Sequence, residues 1–508
     1  MVRALSLIGL IGVCLLSLVQ SAPLPSGTVV SEVTPRLPRE SGKVPDDWRA
    51  ALPEPVLGAH PAWVDFYYET WRFADLKKTE YKGQTIFDTA FKPGKIWLWD
   101  TVWISHFGIY VQGANPSVTD PMAGYDLFYS AQREDGCIPH VWNASGEHSY
   151  KVHNPIFTLG ELNYYRHTGD KSRLAGVLAK LDRFYFYLKQ QFGEPDGLYR
   201  NFDWHNGMDN RPMADLSIDS TCEQAMVADQ LKQIAELVGD TVRAAKFDKE
   251  YSELKKRINV SMWSKEDQFY TDLKTDRTLC NAWSVASYWA LLSGVADKAQ
   301  AASMKGHLFD EANFKTPFMV PTLGRKSPEY DADGGLYWRG AVWVPTNTMV
   351  IKGLKKYGYI DEGREIAING LEGMVKTWKE TGTLWENYDQ EHPGKRGERS
   401  RPDFVGWSGI QPIATLIETI IGIQTNASEN QIDWTLRMTE QNGVRNLKWG
   451  QNYSKKVDLV AGARTSPDSP VNITLSSDSP FILVVDTGFT KKEFAVEKGQ
   501  NQTFLVNR

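Results

Sequence analysis

Cysteine is scarce: 508 residues hold four, and Cys14 falls within an apolar N-terminal run. The remaining Cys137, Cys222 and Cys280 cannot all pair inside one chain, so at most one disulfide and one free thiol are expected, and their spacing fits no zinc signature. Positive charge is not in surplus. Lys and Arg number 57 against 62 Asp and Glu, a formal net charge of -5, without the basic excess that phosphate backbones demand, which argues against a nucleic-acid partner. Long hydrophobic stretches are missing beyond the N-terminus, and no later segment has the length to cross a bilayer. A fixed repeat period is missing too, which argues against an open superhelix.

What is present begins with Arg3, the apolar run from Leu5 to Val19 and small residues at Ser21 and Ala22, the pattern of a secretory signal peptide over 1–21. Cleavage after Ser21 satisfies the small-residue rule through Val19 and Ser21. Six sequons, at Asn143, Asn259, Asn426, Asn452, Asn472 and Asn501, fit passage through a secretory pathway. Residues 22–58, rich in Pro, Ser and Gly, read as an extended arm. Aromatic residues reach 12% of the chain, with 18 Trp and 21 Tyr. Such rings offer a flat apolar face and a polar edge, which suits sugars with their apolar C–H faces and hydroxyl rims.

From 59 to 425 helical periodicity dominates, with apolar residues three or four apart over Trp63 to Leu76, Trp103 to Val111, Pro155 to Arg166, Lys171 to Gln190, Asp215 to Val238, Thr241 to Val260, Ala282 to Leu292, Val342 to Lys356, Asp361 to Thr377 and Gly406 to Ile421. Consecutive helical hairpins cannot each bury an apolar face alone and must pack laterally. About a dozen helices fit a closed double ring, six inside six. After about 426 the pattern alternates, clearest in Val471 to Leu475 and Phe481 to Asp486, which predicts a small β-sandwich-like domain over 426–508. The expected fold class is mainly α, a double ring of helices with this β domain.

The connections between helices carry Gly, Pro, Trp and acidic residues, and function tends to sit on such loops. In Asp203 to Pro212, Asp209 is flanked by Gly207 and Pro212 near Trp204. Partial desolvation there would raise its pKa and keep it protonated as an acid. Gly335 to Pro345 and Thr383 to Asp389 likewise set charged groups among large aromatics.

Taken together, Trp97-Leu98-Trp99-Asp100, Gly207-Met208-Asp209-Asn210, Tyr337-Trp338-Arg339-Gly340-Ala341-Val342-Trp343 and Trp385-Glu386-Asn387-Tyr388 resemble the (α/α)6-barrel glycosidases of glycoside hydrolase family 63, which include processing α-glucosidases and mannosylglycerate and glucosylglycerate hydrolases. The family 37 trehalases are more distant. The resemblance spans about residues 90 to 423. It implies an inverting hydrolase of an α-glucoside or α-mannoside, with Asp209 as general acid and Glu386 as general base. Inversion needs two carboxyls roughly 6.5–9.5 Å apart with a water between. The resemblance further implies that Trp97, Trp99, Asp100, Trp204, Tyr337, Trp338, Arg339, Trp343, Tyr388 and Trp407 hold a small carbohydrate or oligosaccharide, with no metal or cofactor. The chain departs from the family at His205-Asn206, where Glu-Ser is usual, and at Arg211-Pro212-Met213, where Ser-Pro-Arg is usual, so the choice of sugar stays open. A basic run, Lys395, Arg396, Arg399 and Arg401, follows Glu386 and offers a lid for an acidic aglycone. Trehalase-like activity and a non-catalytic sugar-binding protein on the same barrel are the competing readings.

Overall fold

The computed structural model of the chain describes residues 49–81, 84–87, 94–112, 120–151, 155–201 and 204–507. The signal peptide expected over 1–21 and most of the arm expected over 22–58 lie outside the described residues. The described residues form one compact unit.

Among the described residues, six helical segments form an inner ring: Leu98–Gln112, Phe157–Thr168, Ile218–Val238, Trp289–Leu292 with the 3-10 turn Val285–Tyr288 before it, Val344–Lys356, and the 3-10 turn Trp407–Ile410 running into the π-helix Gln411–Ile421. Each packs on the next, and the turn Trp407–Ile410 returns to Leu98–Gln112 to close the ring. These segments are apolar around much of their circumference, as helices buried on all sides must be. Every residue from 98 to 111 and from 404 to 417 is buried.

The helices Pro61–Asp75, Ala123–Ser130, Lys171–Phe192, Thr241–Ser261, Lys298–Leu308 and Ile360–Thr381 make the outer ring. They are one-sided. In Lys171–Phe192 the buried residues are Leu174, Val177, Leu178, Leu181, Phe184, Tyr185 and Leu188, three or four apart, and the charged residues face outward. Three of their starts carry an aspartate cap: Asp170 accepts from Ser172 N at 3.1 Å and Arg173 N at 3.2 Å, Asp240 accepts from Arg243 N at 3.0 Å, and Asp297 forms a capping box with Gln300. Each such cap is worth about 1 kcal/mol. Two outer helices, Ala123–Ser130 and Lys298–Leu308, were not anticipated from periodicity. They are short, and the second buries only Ala301, Met304 and Leu308, too few apolar positions to mark a face in sequence.

Beyond the ring, Glu54–Val56, Asn442–Trp449, Lys455–Ala461, Val471–Ser477 and Gly499–Val506 make an antiparallel sheet in that order. A second sheet runs Lys491–Val496, Phe481–Asp486, Gln431–Thr435, Ile423–Asn426, with Phe481–Asp486 parallel to Gln431–Thr435. Buried alternate residues face each other across the sheets, and Trp449 meets Phe481 with ring centroids 5.8 Å apart. The strand Glu54–Val56 comes from the stretch expected to be an arm. It pairs with Arg445, Val444 and Gly443. No disulfide joins the described cysteines: Cys137, Cys222 and Cys280 are all free, so the one pairing that three thiols allow is not formed. No described helix is long and apolar enough to cross a membrane.

Candidate active site

The N-terminal ends of the inner helices gather at one end of the ring, together with the loops that precede them. Asp100 lies in the first turn of Leu98–Gln112 and Trp343 is the N-cap of Val344–Lys356. The positive ends of these helix dipoles therefore point toward a common opening, an environment that favours negative charge. A cleft of about 410 Å³ sits there, lined by Trp97, Trp99, Asp100, Asp209, Tyr337, Trp338, Trp343, Trp407, Leu98, Gly207, His140, Lys151 and Arg401.

The Asp209 loop is held from below by a buried ion cluster. Arg211 donates to Asp219 at 3.1 Å and to Asp272 at 3.0 Å, with all three side chains almost fully buried. Burial, the larger effect, pushes the Asp219 carboxyl up to about 6 and Arg211 opposes that shift. Asp272 also accepts from Ile218 N at 2.8 Å, which ties the loop to the start of an inner helix. Laterally, Asn210 staples the loop to the aromatic segment: its Nδ2 donates to Leu336 O at 2.7 Å and its Oδ1 accepts from Trp338 N at 2.9 Å.

That aromatic segment is strained. Leu336 and Tyr337 have φ of 32° and 71°, a region that costs a bulky residue on the order of 1–3 kcal/mol unless its surroundings impose it. The surroundings are the Asn210 staple, a Trp338–Trp343 stack with centroids 3.8 Å apart, and Trp343 Nε1 donating to Tyr337 O at 3.0 Å. The outcome is that the Tyr337 hydroxyl donates to Glu386 Oε1 at 3.0 Å.

Glu386 lies on a hairpin closed by Phe404 N to Leu384 O at 3.0 Å and Glu386 N to Arg401 O at 3.0 Å. The register that pairs Trp385 with Pro402 sets Glu386 opposite Arg401. Its backbone carbonyl accepts from Trp407 Nε1 at 2.9 Å. The side chain is fully buried, and Oε2 has no protein hydrogen-bond partner. Burial pushes the Glu386 carboxyl up to about 7, with Arg401 and the Tyr337 hydroxyl opposing and the charge of Asp209 adding to the rise. The Asp209 side chain opens to the cleft, yet the protein around it raises its carboxyl too, and Arg401 again opposes.

Among the residues singled out in the sequence, Trp97, Trp99, Asp100, Asp209, Tyr337, Trp338, Trp343 and Trp407 meet at the cleft, with Glu386 directly behind Tyr337. Arg339 and Tyr388 are not among the cleft-lining residues. Arg339 Nε donates to Asn210 O at 3.2 Å, and buried Tyr388 packs on Phe318 with its hydroxyl accepting from Trp385 N at 3.2 Å. Both brace the loops. The side chain of Trp204 lies outside the described residues. His140, Lys151 and Arg401 line the cleft without having been singled out as sugar contacts. His140 Nδ1 accepts from Lys151 N at 3.1 Å, and burial holds the ring down to about 4, with a hydrogen bond to the Ser149 backbone opposing. Arg399, proposed from sequence for a lid, is exposed beside Glu398.

Residues 122–225 and 213–404, more than half of the chain, match the family described as the mannosylglycerate hydrolase MGH1-like glycoside hydrolase domain. The chain belongs to this family of glycoside hydrolases. An uncharacterised protein of Borreliella burgdorferi is 28% identical over 368 residues, covering 69% of this chain and 77% of its own. A probable mannosyl-oligosaccharide glucosidase of Schizosaccharomyces pombe is 25% identical over 228 residues, 40% of this chain and 28% of that protein. Among solved structures, the family 63 mannosylglycerate hydrolase of Thermus thermophilus in complex with glucose aligns with a TM-score of 0.56 at 16% identity, over 68% of this chain and 98% of that one. This glycoside hydrolase thus has the (α/α)6 barrel of the family 63 enzymes, and the cleft lies at the mouth of its inner ring.

Proposed function

We propose that the chain hydrolyses an α-glycosidic bond, in a glucoside or mannoside, with inversion at the anomeric carbon. Asp209 protonates the leaving oxygen and Glu386 activates water. The observation that carries this reading is the pairing of a cleft-facing carboxyl with a buried one whose Oε2 lacks any protein partner. A buried acceptor in that state is satisfied by water, and a water held there by a carboxylate is a nucleophile.

The charge of Asp209 adds to the rise of the Glu386 carboxyl. Substrate changes the surroundings of both. A sugar filling the cleft strips water from Asp209 and raises it further, while the nucleophilic water donates to Glu386 and favours its ionised form. The aromatic walls Trp97, Trp99 and Trp343 suit the apolar face of a sugar ring, and the polar residues Asp100 and Lys151 on the cleft wall suit its hydroxyls. As positive charge develops at the anomeric carbon, ionised Glu386 and Asp100 stabilise it.

The test uses two variants and two leaving groups. A glycosyl fluoride needs no proton to depart, so Asp209→Asn should keep much of its turnover of the fluoride and lose at least about 100-fold on an alkyl glycoside. Glu386→Gln should lose both. The opposite pattern would exchange the two roles, and no turnover by the wild type on any α-glycoside would end the reading. Product configuration followed by proton NMR checks inversion. The apolar run Leu5 to Val19 supports secretion of the mature chain from Ala22, which N-terminal sequencing of exported protein tests.

A further inference from the structure

Glu386 poses a physical problem that its own hydrogen bonds do not solve. A fully buried carboxyl tends to stay neutral, and a neutral carboxyl cannot take a proton from water. One hydroxyl, from Tyr337, reaches Oε1 at 3.0 Å. A cation must supply the rest. We infer that Arg401 is the positioning residue of the pair, a guanidinium in the cleft wall beside Asp209 and across the hairpin from Glu386, whose charge keeps the base ionised. This rests on the reading of those two groups as acid and base.

Three observations converge on Arg401. The antiparallel register of 385 with 402 makes it the cross-strand neighbour of Glu386, so both side chains leave the hairpin on the same face. Its carbonyl takes the Glu386 N–H at 3.0 Å, which fixes the Arg401 backbone beside that of the base. Its side chain lines the cleft beside Asp209, and its charge lowers both carboxyls. The other charged or titratable groups facing this space are Tyr337 from the aromatic segment, Asp100 from the helix Leu98–Gln112, and His140 and Lys151 from the opposite wall.

The experiment compares the wild type with Arg401→Met and Arg401→Lys. For a glycoside the wild type cleaves, Arg401→Met should move the acid limb of kcat/KM about one pH unit toward alkali and cut kcat about tenfold at pH 6, with KM changing less. Arg401→Lys, which keeps the charge, should recover the limb. Glu386 can also be followed without turnover, by the pH midpoint of its carboxylic-acid infrared band in 13C-glutamate-labelled protein minus the Glu386→Gln variant. The midpoint should rise in Arg401→Met by the same amount. An unchanged midpoint, or a raised KM with an unmoved acid limb, overturns the inference. Absence of turnover in the wild type would count against the proposed function alone, because the infrared midpoint still decides the role of Arg401.

Discussion

Glu386 is stored in a form the fold pays for elsewhere. Its folded pKa of about 7 stands above the ordinary 4.5, so between those values the folded chain binds more protons than the unfolded one. Stability contributed by the protonated form is present below about 4.5 and is lost as pH rises through 7. Glu386→Gln, neutral at all pH, should therefore be more stable than wild type above pH 7 by on the order of 2–3 kcal/mol, read as a higher Tm. Parallel stability curves for the two proteins from pH 4.5 to 7 would refute this. Tyr337→Phe removes the one hydroxyl that reaches Oε1, so Glu386 should rise further and the acid limb of kcat/KM should shift toward alkali. The segments that carry Asp209 and Glu386 stood out in the sequence because their motifs are local. Arg401 did not, since its neighbourhood to Glu386 depends on a hairpin register that a basic run does not reveal. Arg339, a charged residue among tryptophans, donates to a backbone carbonyl of the Asp209 loop, a contact that sequence spacing does not reveal.

Among the elements, the long amphipathic helices were readable almost to their ends, because caps such as Asp170 and Asp240 stand next to clear periodicity. The inner segment expected over Gly406 to Ile421 is a 3-10 turn followed by a π-helix. Periodicity at 3.6 residues cannot distinguish these in a stretch buried on every side. The π-helix ends at Gly422, with φ of 93°, where an added Cβ would stand 2.1 Å from Thr435 O. The loop elements carry the chemistry, and the Asp209 loop depends on Arg211. Arg211→Met would strand Asp219 and Asp272 in the interior without their cation, a loss on the order of 3–5 kcal/mol. Because Asp219 is already pushed up to about 6, removing the cation should raise it further, so that Asp219 binds a proton on folding. The Arg211→Met protein should therefore recover part of its stability as the pH is lowered from 7 to 5. Urea unfolding at the two pH values checks this, and an equal deficit at both would rule out the ion cluster as the cause.

At the scale of the molecule, the sheets and the ring are joined by contacts that sequence periodicity does not report. Glu54–Val56 reaches its partner strand across nearly the whole chain, and three residues with one proline carry no strand signal alone. Trp434 Nε1 donates to Ile421 O at 3.0 Å, Gly450 N to His167 O at 2.9 Å, and His167 Nδ1 meets Thr425 Oγ1 at 2.9 Å. All three cross from strand or turn to the end of a barrel helix, in sites buried from water. Opening the sheets away from the barrel would leave those buried groups unpaired at about 1–3 kcal/mol each and expose Ile421, Ile423, Ile432 and Trp434. Neither part can therefore shed the other cheaply. The chain should melt in a single calorimetric transition, and Trp434→Ala should lower that one transition without splitting it. Two resolved peaks in the wild type, or a Trp434→Ala trace in which the barrel melts at its original temperature, would show that the sheets are an independent appendage.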